Sequence, residues 1–126
     1  MQSRIQAADG HVAVLRAYVE ANVALVGVHP AAIRALIDIV RDSAGRTGVS
    51  QRLAVFEEHF RSGQEAGAFR PFDPRTVTLA LTSGLDAVVV TAAANVPEPA
   101  ELARIGRELA DLYVQATALS PESEAS

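Results

Sequence analysis

Cysteine, tryptophan and lysine are all missing from this 126-residue chain, and methionine occurs only at position 1. Without cysteine there is neither a disulfide framework nor a thiolate metal site, which fits a reducing cytoplasm. The N-terminus shows no basic, apolar, small-residue sequence of a secretory signal, so a cytoplasmic location is expected. Aromatic residues make up only 5% of the chain against 49% hydrophobic, so the core must be built from Ala, Val and Leu. Ala and Leu favour helices, and no alternating strand pattern or internal repeat competes with that reading. All positive charge rests on arginine, with no clustered basic patch. A surface that displaces counterions from phosphates needs such a patch, so these residues by themselves are not expected to bind DNA.

The length makes one domain. The net charge of −4 is uneven along it: nine acids balance nine arginines up to residue 97, and six acids face only Arg104 and Arg107 beyond. Residues 120–126, Ser-Pro-Glu-Ser-Glu-Ala-Ser, read as a disordered acidic tail to a domain spanning 1–119.

The stretch Thr76–Asn95 dominates the chain, because its only formal charge is Asp86. A surface helix carries one apolar stripe and a polar back. This one has no polar back, so one flank covers its own domain and the other is expected to meet a second copy. As a membrane span it is too rich in Ala, Thr and Ser, has Asp86 near its middle and lacks basic flanks. No membrane association is expected.

Around it the spacing gives four more helices, and the expected fold is an all-α, five-helix, bundle-like domain. Residues 2–28 repeat apolar positions at Ile5, Val12, Val19 and Val26, with Leu15 and Asn22 on the same side; Gly10 is a weak point, and Asp9 an alternative start. His29-Pro30 ends that helix and opens a second, whose stripe is Ile33, Leu36, Ile37, Val40 and Ala44, stopped at Gly45. Ser50 caps a third, burying Leu53, Phe56 and Phe60 and ending in Gly63 and Gly67. Asp73-Pro74 starts the fourth, to Asn95. The fifth, about 99–118, presents Leu102, Ile105, Gly106, Leu109, Leu112, Tyr113 and Ala116 on one side.

Catalytic and metal motifs are weak. His11, His29 and His59 lie on separate segments without ligand spacing, so no metal is expected. Glu57 and Glu58 are adjacent and face apart. Gly63 and Gly67 lack the Gly-Lys-Ser/Thr and the strand of a phosphate loop, and no nucleophile elbow exists. No cofactor and no catalytic residue is assigned.

The segment FRSGQEAGAFRPFDPRTVTLALTSGLDAVVV resembles the C-terminal effector-binding domain of TetR-type transcriptional repressors. The shared pattern is Gly63, Gly67, Phe69, Arg70 and Asp73, followed by a helix with Asp86 near its middle, and the upstream helix pair with its His29-Pro30 junction is also similar. The resemblance implies that the last two helices form a dimeric four-helix bundle and that the preceding ones surround a pocket for a small inducer. It also implies DNA binding only through an N-terminal helix-turn-helix segment, which does not precede Gln2 here. The family pattern further offers Arg70 as the partner of an enclosed Asp86, the alternative being Ser, Thr or backbone groups.

The expected function is therefore that of a ligand-binding and dimerisation domain, sensing a small, largely apolar molecule as a homodimer. It is not expected to be an enzyme. Tyr18, Asn22, Phe56, His59, Phe60, Thr82 and Leu85 are the ligand-binding candidates, four polar side chains among apolar ones. Gly84, Val88, Thr91 and Ala92 with Ile105, Leu109, Leu112 and Tyr113 are the dimer-interface candidates. The rivals are a small helical enzyme acting on an apolar substrate and a ligand-free scaffold dimer.

Overall fold

A computed structural model describes residues 2–31, 33, 35 and 45–119, with side chains at 8–31, 33, 35 and 51–119. The fold is all-α: among the described residues there are four helices and no strand. They are α1 (Gln2–Val28), α2 (Gly45–Glu65), α3 (Pro74–Ala94) and α4 (Pro99–Thr117). Residues 30, 31, 33 and 35 are helical. The rest of the helix expected after His29, including Leu36, Ile37, Val40 and Ala44, lies outside the described residues, as does the acidic tail 120–126.

Of the expected α1 stripe, Leu15, Val19 and Val26 are fully buried and Val12 and Asn22 half-buried, Val23 joins them inside, and the Ile5 side chain lies outside the described residues. Gly10 does not delay the start, because the helix runs through it from Gln2. Nothing lies within 4 Å of a Cβ built on Gly10. Alanine there removes only backbone entropy from the unfolded chain, so Gly10→Ala is expected to stabilise by about 0.5–1 kcal/mol in thermal denaturation.

The start of α2 differs from the sequence reading. Gly45 opens the helix rather than stopping its predecessor, and Ser50 lies inside it rather than capping it. Two glycines cost about 1 kcal/mol each in a helix, too little to break one that no proline interrupts. At its other end the chain turns through Gly67, the one described residue with positive φ, +82°. Ala68 N–H donates to Gly63 O at 2.7 Å and Gly67 N–H to Gln64 O at 3.2 Å, which satisfies the last carbonyls of the helix by the Schellman arrangement. Phe69 then folds back over Gly63, so closely that a Cβ on Gly63 would lie 2.2 Å from the Phe69 ring.

The connector after Phe69 is tied to the far end of α4. Arg70 N–H donates to Thr117 O at 2.8 Å, Leu119 N–H donates to Ala68 O at 3.0 Å, and Phe69 and Ala118 form an isolated antiparallel bridge. Asp73 then caps α3 as expected, accepting from Arg75 N–H at 3.2 Å and from the Thr76 hydroxyl at 2.8 Å.

Packing centres on α1, which lies most extensively along α4 and also touches α2 and α3. The contact with α4 rests on small residues. A Cβ on Gly106 would sit 3.5 Å from Val23 Cβ, and Ala110 is fully enclosed. The inward stripe of α4 is therefore Leu102, Gly106, Ala110, Tyr113 and Thr117, rotated from the expected one, and Leu112 and Ala116 are left exposed. Arg16 of α1 and Asp111 of α4 close the seam with a 2.6 Å ion pair. By contrast the backbones of α3 and α4 scarcely approach one another.

Among the described residues one buried side-chain group is unsatisfied. The Thr78 hydroxyl, on the inner face of α3, has no hydrogen-bond partner, and its carbonyl accepts from Thr82 Oγ1 at 2.7 Å. An orphaned buried hydroxyl costs about 1–3 kcal/mol, so Thr78→Val is expected to raise stability by about 1 kcal/mol in denaturant titrations.

Candidate functional site

The α1–α2 seam gathers His11, Tyr18, Phe56, His59 and Phe60. Tyr18 meets Phe56 edge-to-face at 4.6 Å between ring centroids, and Phe56 continues to Phe60 at 6.2 Å. One turn further, His59 stands 5.3 Å from His11 and 5.7 Å from Phe69. The turn spacing of α2 puts Phe56, His59, Phe60 and Gly63 on one face, so this row continues into the joint where Phe69 sits. Two hydrogen bonds fix the histidines: His59 Nε2 donates to the His11 carbonyl at 3.0 Å, and His11 Nε2 contacts Ser62 Oγ at 3.1 Å.

Between these helices lies an open groove of about 110 Å³, lined by Val14, Leu15, Tyr18, Val55, Phe56 and His59. Three of the seven ligand-binding candidates, Tyr18, Phe56 and His59, meet there. The others are elsewhere engaged. Asn22 donates from Nδ2 to Tyr18 O at 2.8 Å, while Phe60, Thr82 and Leu85 are buried in the core. Val14 and Val55 form the rim and were not singled out from sequence. Each precedes a chosen residue by one helical turn, Tyr18 and His59 respectively, and that i, i+4 relation is the signal that identifies them.

Burial lowers the His59 pKa from its ordinary 6.5; the hydrogen bond to the His11 carbonyl works against that, and the neighbouring His11 charge works with it. The unfolded chain therefore takes up the proton first on acidification. Stability is fully present above pH 6.5 and is lost as pH falls through the lower folded-state value. Between pH 7 and 5 the melting temperature of the natural chain is expected to fall further than that of His59→Gln, which keeps a donor for the His11 carbonyl but does not titrate.

Two larger hollows hold none of the ligand candidates. One, about 450 Å³, lies between the end of α1 and the α3–α4 corner, lined by aliphatic residues including Val28, Val96, Pro97 and Leu102. The other, about 420 Å³, is the cleft between α3 and α4, lined by Ala87, Val88, Thr91, Ala92, Asn95, Pro97 and Ile105. Four of the eight interface candidates border that cleft. Of the remaining four, Leu112 is 58% exposed and Leu109 half-buried. Tyr113 is turned inward, its hydroxyl donating to Leu81 O at 2.7 Å and lying 2.7 Å from where a Cβ on Gly84 would be. Burial, and then the charge of Asp86, raise its pKa.

The Arg70–Asp86 pairing does not form. Asp86 faces outward, its side chain 55% exposed, and binds Arg52 of α2 at 2.7 Å. Arg70 donates from Nε to Ala116 O at 2.7 Å, completing the C-terminal end of α4, and lies 5.6 Å over the Phe72 ring. Gly63, Gly67, Phe69, Arg70 and Asp73 thus build the joint between helices rather than line a pocket. Among the described residues no group of three or more His, Asp or Glu side chains is placed to hold a metal. Two helical stretches, Ala8–Val28 and Pro74–Ala94, are long and apolar enough to cross a membrane by length and composition.

No family model, no curated protein and no solved structure matches this chain.

Proposed function

We propose that residues 1–119 are the ligand-binding and dimerisation domain of a TetR-like transcriptional regulator. A small, largely apolar effector binds at the α1–α2 groove. The α3 and α4 helices of two copies form a four-helix bundle, and DNA is reached only through a helix-turn-helix segment beyond these 126 residues. The observation that carries this reading is the α3–α4 cleft. Two neighbouring helices whose backbones barely approach leave Val88, Thr91 and Ile105 lining an open apolar hollow, with Leu112 in solvent two turns further along α4. A two-fold partner offers the same surface and fills the cleft with its own α3 and α4. The effector acts by binding one arrangement of the pair more tightly than another, since equal affinity for both shifts nothing.

A cytoplasmic domain is the better reading of the two apolar helices. Arg16 and Glu20 lie within the α1 stretch, and Asp86 lies mid-way along α3, each in an ion pair at the surface rather than facing lipid. Catalysis is disfavoured because no carboxylate joins His59 in the groove lining. A ligand-free scaffold is disfavoured by the groove itself.

Sedimentation equilibrium of Leu112→Glu tests the proposal. Leu112 is already exposed in the single chain, so the variant is expected to keep its helical circular dichroism while the dimer dissociates. A Leu112→Glu protein that sediments as the natural one does would move the interface off this flank.

A further inference from the structure

The α1–α2 groove has a chemical polarity of its own, set by the proton on His59. The acceptor facing His59 Nε2 is a backbone carbonyl, which offers no proton, so Nε2 must carry the hydrogen. In the neutral ring Nδ1 is then a lone-pair acceptor, and His59 makes no other hydrogen bond among the described residues. The rest of the lining is Val14, Leu15, Val55, Phe56 and Tyr18, aliphatic and aromatic apart from the Tyr18 hydroxyl. The space, about 110 Å³, is smaller than the apolar cavity of about 150 Å³ that encloses benzene, so in this open groove a single ring is the largest group that seats, with one edge left toward solvent.

We infer that the groove takes a single-ring aromatic compound bearing an O–H or N–H donor, with the ring packed against the Tyr18–Phe56 pair and the donor hydrogen-bonded to His59 Nδ1. The choice of a donor follows from the tautomer. A ligand that brings only an acceptor finds no proton at Nδ1, and an aliphatic chain leaves the ring edges of Tyr18 and Phe56 without a facing partner. Burial keeps the imidazole on its neutral side, so the acceptor is available at neutral pH. The inference rests on the reading of this groove as the effector site and names the chemistry it selects.

Phenol and anisole separate the alternatives, because methylation keeps the ring and its oxygen and removes the donor. Each is titrated into the intact chain at pH 7.5, following the NMR signals of His59, Tyr18 and Phe56. Phenol is expected to shift all three and to bind about fivefold more tightly than anisole, as one net hydrogen bond provides. His59→Phe is expected to equalise the two ligands. His59→Gln, which can donate to the His11 carbonyl and still offer an acceptor, is expected to retain the preference. Equal affinities at these three residues in the natural chain would overturn the donor and leave a ring site. Shifts absent from all three would overturn the site altogether. Neither result depends on oligomeric state, so a monomer that still prefers phenol would sink the dimeric regulator and spare the groove.

Discussion

Gly63→Ala is expected to lower the melting temperature by about 12 °C, a loss of about 3 kcal/mol at roughly 4 °C per kcal/mol for a domain of this size. The added methyl would stand 2.2 Å and 2.3 Å from two carbons of the Phe69 ring. That ring cannot simply swing away. It is 3% exposed, packed edge-on against Phe60 at 5.2 Å and beside His59 at 5.7 Å, and its backbone is bridged to Ala118. Relief therefore has to move the end of α2, the connector, or the C-terminus of α4. Thermal denaturation of Gly63→Ala beside Gly10→Ala is the direct comparison, because both are helical glycines and only one is covered. Similar melting temperatures for the two would mean that Phe69 does not close over α2 as described.

Phe60→Ala is expected to be larger still, about 4 kcal/mol, which approaches the whole stability of many small domains. Phe60 has no exposed surface and is the hub of the aromatic row, with Phe69 at 5.2 Å, Phe72 at 5.5 Å and Phe56 and His59 each at 6.2 Å. Truncation leaves a cavity, and it also removes ring contacts worth about 0.5–1.5 kcal/mol each beyond simple burial. Val55, on the same helix but 70% exposed, is the internal control: Val55→Ala is expected to stay within about 0.5 kcal/mol of the natural chain. Urea titration distinguishes them. A Phe60→Ala midpoint close to that of Val55→Ala would mean that the aromatic row is not the core of the α1–α2–α3 contact.

Much of this architecture was legible in the chain because proline and capping residues mark it. Pro30, Asp73-Pro74 and Pro99 bound α1, α3 and α4 to within a residue or so of the spacing-based limits. Small residues misled in two places. Gly45 was read as a stop because glycine usually follows a helix, yet its cost is too small to enforce one. On α4 the spacing puts Leu102, Gly106 and Tyr113 inward, as they are, but Ala110 and Thr117 take the remaining inward places in preference to Ile105, Leu109, Leu112 and Ala116, because the close approach of α1 at Gly106 and Ala110 sets the rotation of the helix. Asp86 was read as enclosed because its neighbours in sequence are apolar. A helix turns by about 100° per residue, so one acid in an apolar run still points outward, here to Arg52, which lies 34 residues away. The groove was half legible. Tyr18, Phe56 and His59 converge because aromatic and imidazole groups recur at helical spacing on both helices. Nothing in residue type distinguished Phe60, Thr82 and Leu85, which went to the core, since the angle between helices decides which turn faces the gap.

The central claim is that the least charged helix leaves a flank that only a second copy covers. Sedimentation equilibrium of the intact natural chain at micromolar concentration measures this directly. The account predicts a mass twice the 13.3 kDa of the single chain. A species of 13.3 kDa that does not associate as concentration rises would contradict it.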